Sequence, residues 1–367
     1  MNGSFNPDLS VATGKNRIVS LVMPNVATII AHGFDDSIFQ NFSNLKSVSG
    51  ANIDTIGYSA FISCTSLQNV SFPQATTIYG SAFEGCTSLQ NVSFPQVTQI
   101  SGYAFENCLN LQSVNFPQAT TINDYAFKDC TSLQNVNLPA SVTLDGSPFF
   151  GCTSLVSFTL SGTGNLSGIE NGKALVRNGT TLIAYPSASG AITMNTITVI
   201  DGAFSGCTGL QSVNFPQATS ISAFAFSSCT GLQSVNFPQV TSIDSYAFRG
   251  CTGLQSLNIP KVTSIGTFAF IYTGNATLSI TTGPAAPTLA NSIFYGITSA
   301  KTVMVKIPSG ATGYTPFSGS TVTLSGTDTT ANWGNGFRGG GWNGTTWDTG
   351  GGTTYINQNI SLIIERQ

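Results

Sequence analysis

One pattern of apolar and polar positions recurs along most of the chain. Cys64 to Gly85 reads CTSLQNVSFPQATTIYGSAFEG, and the next stretch reads CTSLQNVSFPQVTQISGYAFEN. Leu67, Val70 and Phe72 form L-x-x-V-x-F. Val70 and Phe72 lie two apart and share one face of a short strand, which leaves Asn69 and Ser71 on the other. Pro73 follows and has no N–H to donate, so it should end the ladder. Ile78 and the pair Ala82-Phe83 bring apolar side chains back to the core on the return path. The S-A-F-x-x-C stretch leaves room for at most one helical or 3-10 turn, because Gly and β-branched residues surround it.

The unit is 22 residues long, as the steps between Cys64, Cys86, Cys108, Cys130 and Cys152 and between Cys207, Cys229 and Cys251 show. Residues 42–63 fit with Phe42 in the cysteine slot. Residues 18–34 fit with Met23-Pro24 and Gly33-Phe34 in register, followed by five extra residues. Residues 192–206 supply the second half of a copy whose first half is interrupted. The array therefore comprises about ten or eleven turns between residues 15 and 272. A period of 20–29 residues with Leu at fixed offsets marks a leucine-rich solenoid, since one copy cannot bury its apolar face alone and stacked copies can. The predicted fold is a leucine-rich repeat solenoid, a right-handed superhelix or horseshoe with a parallel β-sheet on its concave face, helix-poor, with a C-terminal β-rich cap.

The pattern C-x-x-L-x-x-[VI]-x-[FL]-P-x-x-[VT]-x-x-I-x-x-x-A-F resembles the BspA-like, or treponemal-type, leucine-rich repeat of bacterial surface proteins. The usual repeat of that family is one residue longer, which implies a tightened turn before Ile78. Residues 170–186 (ENGKALVRNGTTLIAYP) resemble the hairpin often inserted between such repeats. Asn178-Gly179 is a two-residue hairpin signal between Ala174–Arg177 and Thr181–Ala184. The resemblance implies a bacterial cell-surface or secreted protein, adhesin-like, that binds host or bacterial surface proteins.

Three segments are expected: an N-terminal extension over 1–14, the solenoid over 15–272 with the hairpin insertion at about 161–190, and a C-terminal part over 273–367. After Phe270 the period dissolves. Short apolar strands at Thr302–Ile307 and Thr321–Leu324 resemble the sheet that closes the solenoid in the same family. Residues 332–352 are Gly-rich and carry Trp333, Trp342 and Trp347, and residues 355–365 alternate as a last strand. Together they read as a cap followed by a small Gly/Trp-rich β-module.

Composition narrows the chemistry. Of 367 residues only 27 are charged (12 Lys+Arg and 15 Asp+Glu), or 7%, with a net charge of −3. An average soluble protein carries roughly 25%. Nothing here offers an electrostatic footprint for nucleic acid, and no apolar run is long enough to insert in a membrane. The first ten residues lack a leader's apolar stretch. The Ser/Thr/Asn/Gly-rich composition nonetheless points to an extracellular or cell-surface location, with any leader absent from this chain.

The eight cysteines share one slot, one strand spacing apart, with parallel Cβ vectors poorly aimed for a disulfide. They read as buried free thiols packing as small hydrophobes. Zinc needs convergent ligands, and the only histidine is His32, so neither a metal nor another cofactor is expected. Gly334, Gly336 and Gly339 match a dinucleotide spacing but follow no buried strand. No nucleophile elbow or P-loop is present, and carboxylates are sparse. The chain is expected not to be an enzyme.

Surfaces remain. Outward strand positions form ladders: Asn69, Asn91, Ser113 and Asn135; Ser71, Ser93, Asn115 and Asn137; and, after the hairpin, Ser212, Ser234 and Ser256 with Asn214, Asn236 and Asn258. They either solvate one sheet face or line the concave surface such solenoids use for partners. The turns hold Tyr79, Tyr103, Tyr125, Phe224, Tyr246 and Phe268, which either cover the turn or anchor a protein. The three tryptophans suit stacking on sugars or the core of their own module. The expected function is protein binding by a monomeric repeat scaffold. The alternative is a glycan-binding head of tryptophans on a repeat stalk.

Overall fold

The computed structural model describes residues 3–5, 18–23, 26–29, 39–274, 277–290, 293–294, 301–314, 321–324, 341–342, 347–348 and 360–366. The chain divides into two compact units, Met1–Gly179 with Ala184–Ser187, and Thr180–Ile183 with Ala188–Gln367.

In the first unit most repeats contribute one longer and one two-residue strand, and equivalent strands of successive repeats pair in parallel. The longer strands run from Ser20–Val22 through Ser47–Ser49 and Asn69–Ser71 in one sheet, and from Asn91–Ser93 through Ser113–Asn115 and Asn135–Pro139 to Ser157–Ser161 in another. Register is strict: Ser113 faces Asn91 and Asn135, and Val114 faces Val92 and Val136. The short strands, such as Thr77–Ile78 and Gln99–Ile100, form a second parallel ladder within a seven-stranded sheet. At the N-terminus Ser20 pairs with Ser47 and Ile29 with Ile56, steps of 27 that equal the 22-residue repeat plus the five extra residues.

The periodic apolar positions are the core. In the turn from Cys86 to Asn107, Cys86, Leu89, Phe94, Val97, Ile100, Ala104 and Phe105 are fully buried. Identical side chains therefore meet from turn to turn. Phe61, Phe83, Phe105, Phe127 and Phe149 form a column with centroids 5.2–5.5 Å apart and rings within 11° of parallel. Each such contact is worth about 0.5–1.5 kcal/mol beyond area burial. Pro ends most long strands as expected. Pro139 does not: it continues the ladder opposite Ser161, and the next N–H, of Ala140, donates to Ser161 O. The S-A-F stretches are hydrogen-bonded turns, and the only helical element among the described residues is the 3-10 turn Glu170–Gly172.

The insertion carries the two strands expected, Ala174–Arg177 and Thr181–Ala184. Between them Asn178 (φ 52°) and Gly179 (φ 74°) both take the left-handed conformation. A further strand, Leu166–Ile169, pairs antiparallel with Ala174–Arg177. Leu175, Val176, Leu182 and Ile183 are buried.

In the second unit Thr181 pairs with Val199 and Leu182 with Ile200, and the short ladder continues through Ser220–Ile221, Ser242–Ile243 and Ser264–Ile265 to Thr288–Leu289. The long ladder runs from Gly190–Thr193 through Leu210–Asn214, Ser234–Asn236 and Ser256–Asn258. It does not stop where the period does. Leu278–Thr281, Lys301–Ile307 and Ile360–Arg366 add in parallel, and Thr321–Leu324 closes the edge antiparallel to Ile360–Arg366. Thr273 takes the cysteine slot of the last regular turn, and Lys301, 1% exposed, donates to the carbonyls of Thr273 and Gly274 at 3.5 and 3.0 Å.

Candidate functional site

The outward residues of the long strands are hydrogen-bonded to one another along the stack. Asn137 Nδ2 donates to Asn115 Oδ1 at 2.7 Å, Asn115 Nδ2 to Ser93 Oγ at 3.3 Å, and Ser113 Oγ to Asn91 Oδ1 at 2.6 Å. In the second unit Asn258 donates to Asn236 at 2.5 Å and Asn236 to Asn214 at 2.7 Å. Identical register forces equal side chains one strand spacing apart, which suits an amide ladder. Asn69, Ser71, Asn91, Ser93, Asn135 and Ser256 are exposed, while Ser113, Asn115, Asn137, Ser212, Asn214, Ser234, Asn236 and Asn258 are half-buried. The structure brings each set together as one uncharged polar face per unit. An interior Asn of the ladder keeps one amide hydrogen and part of its oxygen's capacity for a partner.

The six turn aromatics separate into three groups. Tyr79 lies two positions before the register of Tyr103 and packs against Tyr58, with centroids 4.9 Å apart. Tyr103 and Tyr125 lie 5.5 Å apart at 33°, and Tyr125 meets Phe150 edge-on at 5.7 Å and 78°. In the second unit Phe224 and Tyr246 stack at 5.0 Å and 3°, and Tyr246 meets Phe268 at 5.3 Å. Tyr58 and Phe150 were not among the aromatics singled out in the sequence, and they join these groups through ring contacts across turns. Tyr103, Tyr125, Phe224, Tyr246 and Phe268 all have φ between 58° and 61°, a left-handed conformation that bulky side chains seldom adopt.

Charge is concentrated on these turns. In the first unit Glu84, Glu106, Asp124, Asp129 and Asp145 follow the short strands, with Lys128 among them and Arg177 donating to Leu144 O beside Asp145 at 3.1 Å. Lys128 is ion-paired with Glu106 and lies 3.6 Å from Asp129, and the two carboxylates raise its pKa against a burial that lowers it. Asp124 Oδ1 accepts the N–H of Ser147 at 2.8 Å.

The cysteines are free and buried. Each thiol of Cys86, Cys108, Cys130, Cys152, Cys229 and Cys251 donates to a Phe carbonyl 25 residues earlier, at 3.0–3.2 Å. Burial pushes their pKa values up, Cys207 to about 12. These thiols are structural donors held as neutral S–H. Among the described residues no group of three or more His, Cys, Asp or Glu is placed to hold a metal ion. His32, Trp333, Gly334, Gly336 and Gly339 lie outside the described residues. Trp342 and Trp347 are register partners in two short antiparallel strands, and Trp342 is also the register partner of Leu289.

The sequence profile described as BspA type Leucine rich repeat region matches residues 15–86, 54–172 and 188–312. The chain belongs to the BspA-type leucine-rich repeat family. A leucine rich cell surface protein of Faecalibacterium prausnitzii is similar in structure at 27% identity and a TM-score of 0.55, over 71% of this chain and 81% of that one. The pneumococcal vaccine antigen PcpA shares the fold at 18% identity and a TM-score of 0.64, over 80% of each chain. No curated protein matches the chain significantly. BspA-type repeats are thus the scaffold on which both candidate faces stand. No helix among the described residues is long and apolar enough to cross a membrane.

Proposed function

We propose that this BspA-type chain is a non-enzymatic binding protein of the bacterial cell surface or its surroundings, adhesin-like, that presents a rigid repeat scaffold to host or bacterial surface proteins. The observation that carries this reading is the repeat itself. Strict parallel register turns single side chains into continuous faces, and such extended faces are what repeat proteins use to hold partners. The likeness to a cell surface protein of F. prausnitzii supports the location. The sheet face offers unspent amide and hydroxyl groups, and the turns offer half-exposed aromatics that serve as anchors in protein interfaces.

A second reading, glycan binding by the tryptophan module, draws support from the cross-strand pairing of Trp342 with Trp347. Immobilised matrix and plasma proteins and a glycan array, probed with the full chain and with its Trp342→Ala/Trp347→Ala variant, separate the two. Capture of a protein by both forms supports the scaffold reading. Glycan capture lost in the variant, and no protein capture, overturns it.

A further inference from the structure

We propose that the aromatic strip Tyr103–Tyr125–Phe150, with the carboxylates beside it, is the docking surface of the first unit, and that its occupant is an extended basic segment of a protein partner. This rests on the protein-binding reading and assigns the contact to the turns rather than to the Asn/Ser face.

The turn does not need its rings. Ser59 and Ser81 occupy the same register position two turns and one turn earlier, with φ of 51° and 56°, and close the same turn with a hydroxymethyl group. Tyr103 and Tyr125 instead hold large rings in the left-handed conformation, which is unfavourable by about 1 kcal/mol or more for such residues. In the second unit the equivalent rings Phe224 and Tyr246 lie parallel, and Tyr246 and Phe268 are tilted by 34°. In the first the strip opens, from 33° to 78°, and Tyr103 stays 42% exposed.

The charge around the strip is mostly negative. Glu84, Glu106, Asp124, Asp129 and Asp145 against Lys128 and Arg177, whose guanidinium donates to Leu144 O beside Asp145, leave a balance of 2 − 5 = −3, while the outward Asn/Ser face of the same unit carries no charge. The carboxylates are spread over successive turns rather than converging, and no metal-holding group forms among the described residues. A field of that kind suits several monovalent cations spaced along a chain. Lys and Arg side chains meet both requirements at once, since their heads are drawn to carboxylates and to aromatic rings. The sign disfavours nucleic acid and anionic lipid.

The test is fluorescence anisotropy of the full chain with a labelled peptide of about ten residues alternating Arg or Lys with Ser. A Glu/Ser peptide of equal length and spermine serve as controls. The basic peptide should bind with an affinity that falls as salt rises from about 0.05 to about 0.5 M, over which the Debye length shrinks several-fold. Tyr103→Asn and Tyr125→Asn keep a residue that tolerates φ above zero, and each should weaken binding about three- to fivefold. Asp145→Asn with Glu84→Gln should flatten the salt dependence, and Phe224→Asn in the second unit should leave binding unchanged. Thermal melts check that each variant folds. Equal binding of the acidic peptide, undiminished binding by both Tyr variants, or spermine binding as tightly as the peptide overturns the proposal. A matrix protein captured equally by parent and Tyr variants sinks this surface and leaves the scaffold reading standing. Absence of any protein capture sinks the scaffold reading whatever the peptide does.

Discussion

The thiol of Cys108 donates to the carbonyl oxygen of Phe83 at 3.2 Å, and that same oxygen accepts the N–H of Cys86 at 3.1 Å. One oxygen thus closes the turn within its own repeat and ties it to the next. The cysteine slot is a hydrogen-bonding position as well as a packing one.

Cys108→Ala removes the donor and leaves a small cavity, and should destabilise the protein by about 1–2 kcal/mol in urea unfolding. Cys108→Ser keeps a donor on a shorter bond and a more polar atom in an apolar site. It should lose a comparable amount, because a hydroxyl left short of Phe83 O is a buried unsatisfied group. Thiol titration should find no fast-reacting cysteine in the native protein and eight in denaturant.

Stability should fall steeply in alkali. Burial raises the folded-state pKa of Cys86, Cys108, Cys130, Cys152, Cys207, Cys229 and Cys251 above the ordinary thiol value. The unfolded chain loses those protons from about pH 8.5 upward while the folded one keeps them, so stability drops by about 1.4 kcal/mol per pH unit for each thiol. Lys301 acts oppositely. Burial lowers its folded-state pKa to about 8, so between pH 8 and its ordinary 10.5 it adds stability as pH rises. One amine does not offset seven thiols. Melting temperatures between pH 7 and pH 10.5 should decline throughout the upper half of that range, and a flat profile would contradict the buried neutral thiols.

Asn236 donates to Asn214 and accepts from Asn258. Asn236→Asp retains the acceptor but turns a second acceptor toward Asn214 Oδ1, where a donor stood. The expected loss is about 1–2 kcal/mol. Asn236→Ala should cost less, because the face is half-open to water. Urea midpoints for the pair of variants check the order.

The L-x-x-V-x-F strand and the buried Phe column were legible in the sequence because a strict period forces like onto like. The second ladder was not. Two residues such as Thr77–Ile78 carry no alternation to read. The Cys108–Phe83 bond was equally hidden, since the thiol's acceptor is a backbone atom 25 residues away. The stack also outlives its period. Ser279 pairs with Ser256 and Val303 with Leu278, steps of 23 and 25, because a parallel ladder fixes the strand and lets its loops absorb extra residues. The turn aromatics were found as a set, but their grouping depends on register, and Tyr79 sits two positions off the Tyr103 column.

Gly283 marks the turn where the regular repeats give way to the C-terminal strands, and among the described glycines it is the one where a Cβ would come closest to another atom. A Cβ there would stand 1.9 Å from the carbonyl oxygen of Pro260. The segment cannot swing aside. The Tyr314 hydroxyl lies 2.9 Å from both Thr282 Oγ1 and the Gly283 carbonyl oxygen, and Thr282 N donates to Lys306 O at 3.0 Å. Gly283→Ala must therefore displace backbone on one side or break the Tyr314 contacts on the other, and should cost about 3 kcal/mol or more. Gly310 is the contrast. Nothing lies within 4 Å of its Cβ position, but its φ is +78°, so Gly310→Ala should cost only about 1 kcal/mol through backbone strain. Scanning calorimetry on the two variants should show a large fall in melting temperature for the first and a small one for the second. Equal shifts would mean that the Pro260–Gly283 approach is not as close as the geometry has it.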